Sequence, residues 1–371
     1  MTKYKFDEIA INSTQKKKPT EDDKVYYIGL EHIDPGCFDV VRWGSDVAPT
    51  GDKLLMQKGD VLFGKRRAYQ RKVAIAPFDG IFSAHGMVLR PNLKVIDANY
   101  FPFFISSDKF METAVRISVG GLSPTINWKD LARQEFELPS LDEQKVLSDK
   151  LWAAYRLKEA YKKLLVATDE MVKSQFIEMV GDPRNNPKGW PTKRLSELAE
   201  YSIGLTYKPE QICDDGTIVL RSGNIQDGKI SFSDIVRVNA PIKESLFVKE
   251  DDILMCSRNG SASLVGKVAM IPDINEPMTF GAFMTIIRSA EAKYLYLYFQ
   301  SQDFRERVSE GKSSTMNQIT QKMLDKVEVP FPDKDVRETL SAIASQADKS
   351  KFELRKSIDA IDKVIKSLIN N

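Results

Sequence analysis

LDEQKVLSDKLWAAYRLKEAYKKLLVATDEMVKSQFIEMV, residues 141–180, runs for forty residues without a glycine or a proline. Such a stretch reads as one continuous helix. Apolar side chains recur near the helical period at Leu147, Leu151, Ala154, Tyr161, Leu165, Val172 and Met179, with Lys158 and Gln175 as polar interruptions. At ~1.5 Å per residue the helix extends roughly 60 Å, more than one small domain covers, so its stripe requires another long helix. Residues 333–371 supply it. Leu340, Ile343, Ala347, Leu354, Ile358, Ile361, Ile365 and Leu368 hold a three-four spacing that Ser350 interrupts, and charged residues fill the solvent side. Two such helices separated by a domain-sized segment imply a repeat.

The chain of 371 residues is long enough for two or three domains, and 42% hydrophobic with 29% charged residues is ordinary for a folded protein. Its formal net charge is +2, so no general cationic field exists and any contact with a polyanion comes from local patches. Cys37, Cys213 and Cys256 are odd in number and lack C-x-x-C spacing. That argues against a disulfide framework or a cysteine zinc site and fits a reducing compartment. The only histidines are His32 and His85. With no leader pattern and no apolar run near eighteen residues, the sequence reads as cytoplasmic, with no membrane segment.

Residues 1–140 read as a compact β-rich domain. Phe6, Ile9 and Ala10 predict a short helix, Lys16, Lys17 and Lys18 a solvated loop tip, and residues 25–30, 60–63, 72–75 and 86–90 strands. A helix is expected over 98–110, a loop over 120–124 and a closing strand over 134–139. The cluster GDPRNNPKGWP at 181–191 stops the long helix, and the order then begins again. VLRSGNI at 219–225 echoes YIGLEHI at 27–33, and DDIL at 251–254 echoes GDVL at 59–62. KVAM at 267–270 echoes KVAI at 72–75, and TIIR at 285–288 echoes MVLR at 87–90. An offset of about 192 residues is a duplicated domain, not a solenoid. The unit is a β-rich domain (1–140, 181–332) followed by a long helix (141–180, 333–371), used twice.

This order, with GDVLFGKRRAYQRKVAIA, the loop GGLSPTIN, LPSLDEQKVL at the helix start and the GDPRNNPKGWP link, resembles the specificity subunit of Type I restriction-modification systems. The resemblance spans essentially the whole chain. It implies an α+β fold in which two target-recognition domains are separated by two long helices forming an antiparallel coiled coil, a pseudo-two-fold internal repeat. Each domain would read half of a bipartite, asymmetric site in double-stranded DNA. Methyltransferase subunits would dock on the helices, and whether restriction or translocase subunits join them stays open. The chain itself would be non-catalytic, with no cofactor, and S-adenosylmethionine, ATP and magnesium would sit only on partner subunits.

The chemical near-misses agree with a non-catalytic role. Residues 59–65 fit G-x-x-x-x-G-K, but Arg66 stands where a phosphate loop has Ser or Thr, and Val61, Leu62 and Phe63 read as strand. Pro272-Asp273 with Glu291-Ala292-Lys293 imitates a magnesium-holding nuclease set, yet the first repeat has no equivalent. His85 could be a base, but the repeat places Phe283 there, which favours packing or a polar contact. Cys256 reads as a small buried hydrophobe. A self-sufficient metal-dependent nuclease and a coiled-coil protein scaffold remain the rival readings.

The densest cationic run is Lys65, Arg66, Arg67, Arg71 and Lys72, interleaved with Tyr69 and Gln70. Arginine can fork onto guanine, glutamine onto adenine, and lysine or tyrosine can hold phosphate. The repeat counterpart is Arg258, Asn259, Gly260 and Ser261, in which Gly260 would let the backbone approach the duplex. A second pair of loops adds Ser123 and Thr125 in one domain and Lys312, Ser314, Thr315, Asn317 and Gln318 in the other. Leu147, Leu151, Leu165 and Val172 with Leu354, Ile358, Ile361 and Ile365 are the expected coiled-coil seam.

Overall fold

A computed structural model describes residues 1–308 and 317–370. The long helices run over Leu141–Val180 and Lys334–Asn370. Ser140 and Glu143 start the first with a reciprocal cap: the Ser140 amide donates to Oε2 of Glu143 at 2.8 Å, and the Glu143 amide to Oγ of Ser140 at 3.4 Å. It stops where Gly181 takes φ +86°, a conformation only glycine adopts without strain. The chain forms two compact units: Met1–Lys163 with the residues from Leu354 onward, and Leu164–Glu353.

In the first unit, strand Thr2–Lys5 pairs antiparallel with Glu135–Leu138 and closes the domain where the long helix begins. Phe6, just after it, is buried among Phe104, Phe110, Trp128 and Phe136, an aromatic cluster that supplies much of the core. One antiparallel sheet has the order Ala10–Ser13, Met87–Pro91, Val61–Phe63, Val73–Ile75. A second has the order Lys16–Lys17, Lys53–Met56, Gly80–Phe82, Tyr27–Ile28, and its last pair is parallel. Leu147, Leu151, Trp152 and Tyr155 of the first long helix pack into the core of this unit together with Ile365, Leu368 and Ile369 of the second.

The second unit repeats the plan. Thr192–Arg194 pairs with Glu328–Pro330, and Glu200–Ile203, Met284–Arg288, Ile253–Cys256 and Val268–Met270 reproduce the antiparallel sheet. Phe176, Val180, Val172, Leu340 and Ala344 join the two helices to its core. The duplication reaches buried polar groups. Arg90 Nε donates to Asp60 at 2.6 Å, and Arg288 Nε to Asp252 at 2.7 Å, with Asp60 only 6% and Asp252 2% exposed. The other sheet differs: Val236–Val238 pairs with Thr217–Leu220, whereas Lys53–Met56 of the first unit pairs with Gly80–Phe82.

Several expectations need correction. The helix expected over 98–110 is two helices, Phe101–Ser106 and Asp108–Arg116, because Ser107 turns extended and its hydroxyl accepts from the Phe110 amide at 3.2 Å. Lys16 and Lys17 are not a loop tip but an edge strand, paired with Leu54 and Lys53. Of residues 25–30 only Tyr27–Ile28 is strand, since Glu21–Tyr26 forms a 3-10 turn begun by Thr20 and Asp23.

The seam also changes. Lys158 does not interrupt it as an unpaired charge: its ammonium meets Asp362 at 2.6 Å in the first unit. In the second unit Lys351 meets Asp169, also at 2.6 Å. With the helices aligned as repeats, Lys158 corresponds to Lys351 and Asp169 to Asp362. One antiparallel ion pair is therefore made twice. Ser350 is exposed, and Lys351 holds the position given to it. Leu165, Leu354, Ile358 and Ile361 are half-buried.

Candidate nucleic-acid interface

Strand Val61–Phe63 carries the chain to Gly64, whose amide donates to the Lys72 carbonyl at 2.9 Å and closes the loop between them. Three backbone hydrogen bonds fix that loop. The amides of Arg66, Arg67 and Ile126 donate to the carbonyls of His85, Pro124 and Lys65 at 3.1, 2.8 and 3.1 Å. Arg67 is left-handed, with φ 57°, a costly conformation for a side-chain-bearing residue that concentrates at functional sites. Ser123 brings the two expected loops together. Its Oγ accepts from Arg66 Nη2 at 3.2 Å and from Arg67 Nε and Nη2 at 3.2 and 3.1 Å. Thr125 bridges to Arg66 through the backbone.

Tyr69 stands exposed on the turn Ala68–Gln70, and Gln70 is half-buried there. Arg71 and Lys72 do not join the cluster. The Arg71 guanidinium bonds to Asp108 at 2.8 Å and to the Ser106 carbonyl at 2.9 Å, and Lys72 donates to the Leu30 carbonyl at 2.6 Å.

Further cations gather from other strands. Burial and the charge of Lys16 hold the Lys65 pKa below the usual lysine value. Burial, then Arg66, Lys65 and Lys53, depress the His85 imidazole, which lies 3.4 Å from Arg66 Nη1. These like charges repel one another in the free protein, and a polyanion relieves that repulsion. Sequence spacing could not place Lys16 or Lys53 here, because sheet pairing brings them in. Leu122, 97% exposed between Gly121 and Ser123, was equally hidden, since a loop leucine carries no signal of its own.

The second unit repeats the frame with different side chains. The Cys256 amide closes the loop on Lys267, and the amides of Arg258, Asn259 and Ile319 donate to Phe283, Asn317 and Ser257 at 3.0, 3.3 and 2.8 Å. Arg258 thus stands where Arg66 does, and Asn259 where Arg67 does. Gln318 Oε1 accepts from Arg258 Nε and Nη2 at 3.1 and 2.6 Å. Asn317 Nδ2 donates to the Gly260 carbonyl at 3.2 Å, and open space surrounds the Gly260 α-carbon. The Ser261 amide donates to Asn259 Oδ1 at 2.9 Å. Lys312, Ser314 and Thr315 lie outside the described residues.

Where the first unit has His85, the second has Phe283, 56% exposed with the Arg258 guanidinium 5.7 Å from its ring. The repeat alignment pairs these two residues, and the polar contact it favours for His85 is present in the approach to Arg66. Asn259 Nδ2 donates to Ser222 Oγ at 3.1 Å, on the rim of a cavity of about 490 Å³.

Elsewhere the near-misses have structural partners. Leu62 and Phe63 are fully buried in a strand. Glu291 is ion-paired with Arg337, and Lys293 lies 3.9 Å from Asp251. Burial raises the Cys256 thiol to about 11. Among the described residues no helix is long and apolar enough to cross a membrane.

Comparison with known proteins gives these surfaces a context. A family model, Type I restriction modification DNA specificity domain, matches residues 3–165 and again 187–361. The chain is 30% identical over 181 residues to the Type I restriction enzyme StySPI specificity subunit of Salmonella potsdam, covering 45% of this chain and 39% of that one. It is 22% identical over 312 residues to the MjaVIII specificity subunit of Methanocaldococcus jannaschii, covering 78% of this chain and 73% of that one. The first match thus spans about two fifths of the relative's length. A crystal structure of a Type I restriction-modification S subunit from M. genitalium superposes with TM-score 0.56 at 15% identity, over 99% of this chain and 94% of that one. A chain from a study of complex assembly in the type I R-M system gives 0.58 at 17% identity, over 99% and 96%.

Proposed function

The chain belongs to the Type I restriction modification DNA specificity family, and from that premise we propose that it is the non-catalytic subunit that reads a bipartite, asymmetric DNA site. The observation that carries this reading is the duplicated loop frame. In both units an arginine is held by a carbonyl from the neighbouring strand turn and braced by a polar side chain from a second loop, Ser123 or Gln318. A guanidinium fixed in this way can fork onto the major-groove edge of guanine, while Lys16, Lys53 and Lys65 suit phosphates. A coiled-coil scaffold that binds only protein would leave that repelling cation cluster without a ligand.

The assembly half of the proposal places methyltransferase subunits on the long helices. Exposed Leu164 and Met171, seven residues apart and so on one helix face, support such docking. S-adenosylmethionine, ATP and magnesium are assigned to the partners, and a restriction subunit is a further candidate partner. The test is co-expression with the neighbouring methyltransferase, then DNA retention across a salt series. Copurification with sequence-selective, salt-sensitive retention is expected. Magnesium-dependent cleavage or methyl transfer by the isolated chain would overturn the non-catalytic assignment.

A further inference from the structure

The cavity of about 490 Å³ in the second unit is unused by the reading above, and its size lies within the roughly 300–1,000 Å³ of small-molecule sites. Tyr207, Phe283 and Met284 give it apolar and aromatic walls, and Arg221, Ser222 and Asp234 its polar groups. Two of these residues are shared with the loop that carries Arg258 and Asn259. Phe283 lies under the Arg258 guanidinium, and Ser222 accepts from Asn259. The cavity therefore opens where that loop would meet DNA.

Its polar groups are unevenly satisfied. Arg221 Nη2 bonds to Asp234 at 3.1 Å, but Arg221 Nε is buried with no hydrogen-bond partner among the described residues. A buried N–H without an acceptor is costly, and a ligand bearing one would complete it.

We infer that the cavity receives one unstacked base of the half-site read by the second unit. The inference rests on that unit reading DNA. A base offers a planar π-face to Tyr207 and Phe283 and a ring-nitrogen or carbonyl acceptor to Arg221 Nε. Asp234 beside it accepts from an exocyclic amine, so adenine, cytosine or guanine suits the site better than thymine. A phosphate would face the Asp234 carboxylate, and an aliphatic ligand would leave Arg221 Nε unpaired. The first unit has His85 among cations at the equivalent turn.

The test uses the full chain assembled with its methyltransferase, with fluorescent base analogues placed singly across this half-site. One position that is never methylated should brighten on binding by about threefold or more, as an unstacked base does. Leu205→Trp, which fills the cavity, should abolish that rise and spare the signal at the methylated base. Phe283→Ala, at an exposed position, should reduce it in a chain that still folds. No brightening outside the methylated base, or brightening unchanged in both variants, would overturn the inference while leaving DNA reading intact. Loss of all sequence selectivity in the unmodified complex would instead overturn both.

Discussion

The two units carry the same buried frame and present unlike surfaces. Asp60–Arg90 recurs as Asp252–Arg288, Ser107 capping Phe110 recurs as Ser301 capping Phe304, and the Gln144 amide on the Pro139 carbonyl recurs as Arg337 Nε on that of Pro332. At the loops the chemistry diverges. The first unit offers Arg66, Arg67 and His85 within a cation cluster, and the second Arg258, Asn259 and Phe283 beside an aromatic cavity. Buried polar groups must keep their partners or leave a charge stranded, so duplication preserves them as pairs. Loop side chains answer only to what they bind. The comparison thus separates residues that hold the domain from those that, in the function proposed above, would give each copy its target.

The largest expected effect breaks the shared part. Arg90→Leu should destabilise the first unit by about 2–4 kcal/mol, because it leaves the buried Asp60 carboxylate without its cation. Arg288→Leu should cost the second unit a similar amount, read as hydrogen exchange of each unit against urea. Markedly unequal costs would show that the frame is not equivalent.

Changes at the loops should be smaller and specific to one copy. Arg67→Ala should cost about 1–3 kcal/mol and relax one position of one half-site, and Asn259→Ala should relax only the other half. Arg67→Gly should lose the same contact while easing the left-handed backbone, so its fold should be at least as stable as that of the alanine variant. Equal weakening of cognate and random DNA would place Arg67 on phosphate instead.

The helices test the comparison in a third way. A fragment ending at Val180 keeps one seam, and two copies set antiparallel would let Lys158 of each meet Asp169 of the other. It should dimerise symmetrically and, with a methyltransferase, direct methylation to a palindrome of the first half-site. Lys158→Glu should weaken the dimer about tenfold, some 1.4 kcal/mol, and a second change, Asp169→Lys, should restore it. Light scattering of both variants checks this.

The smallest effect is a proton. His85 is depressed in the folded chain by burial, then by Arg66, Lys65 and Lys53, so the unfolded chain binds the proton more readily. The first unit should therefore lose a little stability as pH falls below about 6.5. A phosphate nearby offsets the three cations and raises the pKa, so DNA affinity should rise as pH falls from 7 toward 6, by less than about tenfold. His85→Phe should abolish that rise, which titrations of binding against pH would show.

Much of this was legible in the chain itself. Forty residues without a breaker can only be a long helix, and the echo of GDVL in DDIL gives the duplication before any coordinate does. The loops at Arg66 and Arg258 stand out as candidates because cations and small polar residues cluster in sequence there. The rest depends on contacts between distant segments. Nothing local says that Lys16 approaches Lys65 and Lys53 approaches His85, that Arg71 is spent on Asp108, or that Lys158 has Asp362 opposite it. A serine that could continue a helix instead turned the chain at Ser107, since its hydroxyl served the next helix better as a cap.

The most direct test of two unlike reading surfaces on one frame is a map of every base methylated when the chain is expressed with its neighbouring methyltransferase. The expected result is a single motif of two different half-sites separated by a spacer in which any sequence is accepted. A palindrome, or one contiguous motif without a spacer, would contradict it.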